Sequence, residues 1–219
     1  MNSKQLDMID HMQLPFQTVI GVDEVGRGCL AGAVYAAAVI LNNKFDYSEI
    51  TDSKKLSASR REKISAEIKS NCLYSIAIAT VEEIDEINIL QASLLAMRRA
   101  VVDLITKAHL SEGLIAVDGN QLIKDPKAEL RAFEQRCFIK GDLRVKPIGA
   151  ASIVAKVARD QNMKELDIEF PQYGFASHKA YASEQHRAAI QKFGPCSAHR
   201  KTFGGVKEFI RGFEKPFEL

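Results

Sequence analysis

The chain has 219 residues, enough for one full-sized hydrophobic core with a small appended lobe. With 46% hydrophobic and 26% charged residues it is composed like an ordinary globular protein, which excludes the disordered, collagen-like and disulfide-scaffold classes. The formal net charge of +2 conceals an uneven distribution: residues 172–219 carry eight Lys/Arg against four Asp/Glu, so the tail is the part expected to face an anion.

The longest apolar run, residues 28–41, is shorter than the roughly 18 residues of a membrane helix, and reads as a buried strand. The N-terminal residues lack the basic start and apolar stretch of a secretory signal. A cytoplasmic protein with no membrane association is expected. Cys29, Cys72, Cys137 and Cys196 form no CxxC pair and no zinc-like spacing, and read as reduced thiols.

Residues 17–22 (QTVIGV), 33–41 (AVYAAAVIL) and 73–80 (LYSIAIAT) are apolar runs rich in β-branched residues, and predict three strands. Ser57 opens a short amphipathic helix carrying Ile64 and Ile68. Thr80 and Glu83 form a capping box that begins a long helix, with Ile84, Leu94, Met97, Val101 and Leu104 among the residues of its core face. Residues 114–117 predict a strand ending in Asp118, and residues 136–140 another ending in Asp142. Residues 147–165 are helical in composition, and a helix over 183–193 stops at Gly194-Pro195. Strands first and alternation later predict a mixed α/β sheet.

Asp23, Glu24, Asp118 and Asp142 each close a predicted strand. Taken singly, each reads as well as a turn or a solvated strand end. Together they match a chemical need: two Mg²⁺ ions about 3.5–4 Å apart can activate a water and stabilise a leaving oxygen, and such hard cations take oxygen ligands. Adjacent Asp23 and Glu24 point to opposite faces of a regular strand. A twist or bulge is therefore expected beside them, where Gly26 and Gly28 make one cheap.

The segments GVDEVGRG (21–28), DSKKLS (52–57), VDGN (117–120), KGD (140–142), AASIVAKVARD (150–160), YGFASHKAY (173–181) and HRKTF (199–203), in this order, resemble bacterial ribonuclease HII, a type 2 ribonuclease H. The resemblance runs from about residue 16 to residue 206. It implies an RNase H-like α/β fold, with a mixed sheet flanked by helices and a C-terminal helical extension. The expected division is an N-terminal extension over 1–15, a catalytic domain over 16–170 and a substrate-binding extension over 171–219.

The implied activity is hydrolysis of the RNA strand of RNA/DNA hybrids and cleavage 5′ of single ribonucleotides embedded in duplex DNA. It leaves 3′-hydroxyl and 5′-phosphate ends and depends on two divalent ions, Mg²⁺ or Mn²⁺. The biological setting would be removal of misincorporated ribonucleotides and RNA primers. By position, Asp23, Glu24, Asp118 and Asp142 match the family's metal-binding acids, and Gly26, Arg27 and Gly28 its sensor of the ribose 2′-hydroxyl. Tyr181 matches a tyrosine that stacks on the neighbouring deoxyribose, and Lys54 and Lys55 match a phosphate-contacting loop.

Ser152 and Lys156, four apart on one helix face, resemble positions near the site. His178, His186 and His199 lack zinc spacing; they read as phosphate contacts or packing, with His178 and His199 the pair expected to touch substrate. The chain departs from the family pattern at Cys29 and Ala33, where prolines are usual, and at Ala180 and Ala182, where glycines are. The stretch 121–135 is longer than expected. A monomer is expected, and the two-phenylalanine tail GFEKPFEL suggests docking on a replication clamp or a frayed end.

Three other readings remain open: a different RNase H-like nuclease, a non-catalytic hybrid-binding protein, and a nucleotide-binding α/β module. The last lacks the GxxxxGK[ST] phosphate loop.

Overall fold

The computed structural model describes residues 9, 14–51 and 53–210, so most of the expected N-terminal extension, Asp52 and the tail after 210 lie outside the described residues. Among those described, five strands form one sheet of order β3-β2-β1-β4-β5. They are β1 (Val19–Val25), β2 (Val34–Ile40), β3 (Leu73–Ala79), β4 (Gly113–Asp118) and β5 (Phe133–Phe138). The first three are mutually antiparallel neighbours, whereas β4 and β5 run parallel to β1. The mixed α/β sheet read from the sequence is thus the observed one. No helix among the described residues is long and apolar enough to cross a membrane.

Helices α1 (Ala58–Asn71) and α4 (Lys146–Glu169) cover one face of the sheet and α2 (Val81–Ala108) the other. Alternation along the strands decides which residues meet which layer. Ile20, Val22, Ile115 and Val117 pack with Ile84, Met97, Val101 and Leu104 of α2. Ala37 and Val39 pack with Ile64 and Ile68 of α1 and with Ile153 and Val154 of α4. At roughly 25 cal/mol per Å² of apolar surface, these two layers are the main stabilising contribution.

Thr80 and Glu83 make the reciprocal capping box that the sequence predicts. The long helix is nevertheless broken, because Asn88 stands at φ 67° and its Oδ1 accepts hydrogen bonds from the N–H groups of Leu90 and Gln91. Asn88 is in effect the N-cap of a second helical segment, a role its short side chain suits.

The run 28–41 is strand only over β2, and its first part is a loop. Strand β5 ends at Phe138 rather than at residue 140, since Lys140 turns the chain through the left-handed region at φ 54°. Asp142 therefore lies not on a strand end but on the one-turn helix α3 (Gly141–Arg144).

After α4 come α5 (Phe175–His178), α6 (Glu184–Phe193) and a 3-10 turn, Lys207–Phe209. Their core is Tyr173, Phe175, Ile190 and Val206, closed against Met163 of α4 and against Cys29, Leu30 and Ala31 of the loop after β1.

Helix α4 approaches β1 so closely at Gly21 that an added Cβ there would stand 2.0 Å from the carbonyl carbon of Pro147. Gly21→Ala is therefore expected to cost about 3 kcal/mol, the upper end of overpacking effects, and to lower activity by shifting α4 away from the sheet. Urea unfolding and a cleavage assay on the same preparation check both.

Candidate active site

Parity along β1 puts Asp23 on the face of Gly21, toward α4, and Glu24 on the face of Ile20 and Val22, toward α2. The expected bulge is absent: pairing with β2 continues in regular register through Asp23↔Ala37, Glu24↔Ala36 and Val25↔Tyr35. On the other side, pairing with β4 stops at Val22↔Val117. The sheet opens there, and the two acids straddle its end.

Asp118 is the last residue of β4, on the neighbouring strand, and repels both Asp23 and Glu24. Its Oδ1 accepts hydrogen bonds from the backbone N–H groups of Gly141 (2.7 Å) and Asp142 (3.3 Å), which ties α3 to the strand end. Asp142 thereby joins the cluster, and Lys54 Nζ stands 3.9 Å from its Oδ2.

Asp23 is 6% exposed. Burial pushes its carboxyl well above the ordinary carboxylate value, repulsion from Glu24, Asp118 and Asp142 adds to this, and a hydrogen bond from Ser152 opposes it. The Ser152 hydroxyl also stands 3.2 Å from that of Ser53, so Ser152 serves the carboxylate from within the protein. Burial raises Glu24 as well, against the pull of Arg27, whose Nη1 stands 3.2 Å from its Oε1. Burial and then Asp142 raise Asp118, against its backbone hydrogen bonds.

The set consists of oxygen donors that hold negative charge at a cost, a chemistry that a hard divalent cation relieves. Among the described residues no three His, Cys, Asp or Glu stand as a ready ligand cage. Mg²⁺ is such a hard cation, usually held by one or two carboxylates together with waters and substrate oxygens. Beside the acids a cavity of about 80 Å³ runs along the α2 face, lined by Glu24, Arg27, Asp118, Asn120 and Gln121 over a floor of Leu90 and Met97.

Arg27 and Gly28 are exposed at the rim of the site, while Gly26 is buried at φ 100°. An added Cβ at Gly26 would meet Arg159 Nε at 2.4 Å. Tyr181 is 45% exposed beside this loop, paired in a β-bridge with Cys29 and lying 6.0 Å over the Arg159 guanidinium. Lys55 is exposed. Lys156 pairs with Asp160 at 2.6 Å. At Ala180 the backbone adopts φ 59°, a conformation glycine takes freely and alanine only with strain. The long stretch 121–135 is tied down, with the Gln135 side chain bonding both the N–H and the carbonyl of Ile123.

One expectation is corrected here. His199 is fully buried and does not reach the surface: its Nε2 stands 3.1 Å from His186 Nε2, and its Nδ1 accepts from the Cys196 N–H. Tyr173 and Phe175 pack against its ring, so the basic motif that holds it turns this side chain inward. His178 is only partly buried; its ring stacks on His186 at 4.6 Å and its Nε2 bonds the Tyr173 carbonyl. Two residues that sequence reasoning passed over are the fully buried Arg159 and Arg200, both behind the loop 26–32. Their only advance signal was their place inside the motifs over 150–160 and 199–203.

A family model described as Ribonuclease HII matches residues 20–206. A ribonuclease HII of Albidiferax ferrireducens is 53% identical over 88% of this chain and 89% of its own length. One from Aliivibrio salmonicida is 45% identical over 95% and 96%. Among solved structures, the PCNA:RNase HII complex from Archaeoglobus fulgidus matches with TM-score 0.68 at 24% identity, covering 86% of this chain and 96% of that one. A Bst-RNase HIII in complex with Mn²⁺ matches with TM-score 0.67 at 18% identity, covering 90% and 70%. The last two bear on the fold.

The buried histidines give the C-terminal segment a pH dependence. Burial, and then His186, lower His199 to about 4, and burial lowers His186 too. The unfolded chain takes these protons first, near pH 6.5. The stabilising contribution is therefore complete above about pH 6.5 and is lost as pH falls toward 4, on the order of 3 kcal/mol from His199. Thermal melts between pH 7 and 4, compared with those of His199→Gln, are expected to show a shallower slope in the variant.

Proposed function

Since the chain belongs to the ribonuclease HII family, we propose that it cuts duplex DNA on the 5′ side of a single embedded ribonucleotide, with Asp23, Glu24, Asp118 and Asp142 as ligands of two divalent ions. The coarser activity follows from the family: a metal-dependent ribonuclease H, a hydrolase that acts endonucleolytically on RNA/DNA hybrids. The observation that carries the metal-binding part of this reading is the gathering of four acids, three of them held above their ordinary ionisation, around one opened sheet end; the junction part rests on the exposed loop residues Arg27 and Gly28 and on Tyr181 beside them.

In this reading Asp23 and Glu24, which meet at the open end of β1, would hold the two cations between them, with Asp23 shared by both. Asp118 and Asp142 complete the shells. Mg²⁺ or Mn²⁺ held by these four acids would lower the pKa of an attacking water and stabilise the departing 3′-oxygen, so that the products would carry 3′-hydroxyl and 5′-phosphate ends. No histidine base is needed, in keeping with the inward turn of His199.

Ser152 holds the Asp23 carboxylate, and Lys54 and Lys55 meet phosphate oxygens beside Asp142. The backbone of Gly26, Arg27 and Gly28 meets the ribose 2′-hydroxyl, which is both donor and acceptor and marks RNA from DNA. Tyr181 offers its exposed ring to the adjoining sugar. The setting is removal of misincorporated ribonucleotides and RNA primers by a monomeric, cytoplasmic enzyme. Clamp docking belongs to the tail, outside the described residues; the Archaeoglobus fulgidus structure supports only its being open to a relative.

A 5′-labelled duplex with one ribonucleotide, incubated with and without Mg²⁺, tests the reading: one cut 5′ of the ribonucleotide is expected with metal and none on an all-DNA duplex. A cut at any other position sinks the junction assignment. Asp118→Asn is expected to lower Mg²⁺-dependent cleavage by about three orders of magnitude, or about 4 kcal/mol. Asp23→Asn is expected to abolish cleavage and yet raise the metal-free melting temperature by about 2–4 °C, the effect of removing about 1 kcal/mol of repulsion. A merely structural Asp23 would lower that temperature.

A further inference from the structure

Arg200 is fully buried, and its guanidinium makes three hydrogen bonds, each to a backbone carbonyl. Nη2 donates to Gly26 (2.7 Å), Nη1 to Arg27 (2.9 Å) and Nε to Gly32 (2.9 Å). The two ends of the loop after β1 are thus held by one rigid planar fork, a geometry that lysine cannot copy. The backbone strengthens the grip: Arg200 N–H donates to Leu30 O, Gly32 N–H to Ala198 O, and Leu30 N–H to Ala180 O. From the opposite side Arg159 of α4 fills the space where a Gly26 side chain would stand, and bonds the Lys179 carbonyl at 3.1 Å.

A planar trans peptide fixes its C=O and N–H in opposite directions. Because Arg200 draws the carbonyls of Gly26 and Arg27 inward, the N–H groups of Arg27 and Gly28 must point away from it, and both residues are exposed. We infer that Arg200 is a positioning residue for ribonucleotide recognition, turning two consecutive amide donors outward as a rigid pair. Rigid preorganisation of this kind is what a hydroxyl-reading site needs, since a misplacement of about 1 Å costs on the order of 100-fold in rate. The inference rests on the proposal above that this loop meets the 2′-hydroxyl.

The test compares duplexes whose single modified sugar bears a 2′-hydroxyl or a 2′-fluorine. The unmodified chain is expected to cut the hydroxyl substrate far faster. Arg200→Lys is expected to cut it about 10- to 100-fold more slowly in kcat/KM, with discrimination against the fluorinated sugar reduced and affinity for an all-DNA duplex within about twofold. If the unmodified chain does not distinguish the two sugars, the loop's role fails. If it does, and Arg200→Lys discriminates equally well, the positioning role alone is overturned. Should Arg200→Lys not fold, amide exchange in the unmodified chain decides. Fast exchange at Arg27 and Gly28 supports the outward pair; protection at both overturns it.

Discussion

Like charges crowded at one end of a sheet are the constraint on which the rest of this structure turns. Burial raises a carboxylate's pKa and neighbouring carboxylates raise it further, and both act on Asp23, the most enclosed of the four. The fold holds them there by rigid means: β1 is the central strand, fixed on both edges, and Gly21 lets α4 lie against it without any intervening side chain. Backbone N–H groups of α3 then lock Asp118. A site built on strands and a packed helix keeps its geometry better than one built on loops.

The same geometry resolves the pleat. Neighbouring residues on a strand face opposite ways, which would divide Asp23 from Glu24 anywhere in a sheet's interior. At the end of β1 the partner strand β4 has already stopped pairing, so both faces open on one space. A regular strand end does what a bulge was expected to do. In the proposed function the labour divides outward: the acids at the sheet end would serve the cutting, and the loop 26–32 and Tyr181, held by the C-terminal segment, the choice of what is cut.

Much of this was legible in advance because short apolar runs rich in β-branched residues report strands directly, as in β1, β2 and β3, and because Thr80 with Glu83 is a local signal with one meaning. Asn88 was not legible, since an asparagine that caps a second helical segment reads like any polar residue on a helix surface. Nor was the place of Asp142, which follows from the left-handed turn at Lys140, a conformation lysine does not advertise. His199 and Arg200 were harder still. A basic motif near a nucleic-acid site suggests contact with phosphate, yet both side chains turn inward, one to a histidine cluster and the other to backbone carbonyls. Only packing partners distant in sequence decide that direction.

That distance bears on the order in which the protein is made. Gly26 and the arginine that grips it are 174 residues apart, whereas the sheet and all four acids lie before α4 is complete. During synthesis from the N-terminus, the cutting end of the molecule can assemble while residues 180–200 are still unmade. The loop stays ungripped until nearly the whole chain has emerged. The proposed metal ligands thus precede Arg200 along the polypeptide, and a truncated product would carry the acids with the loop 26–32 ungripped.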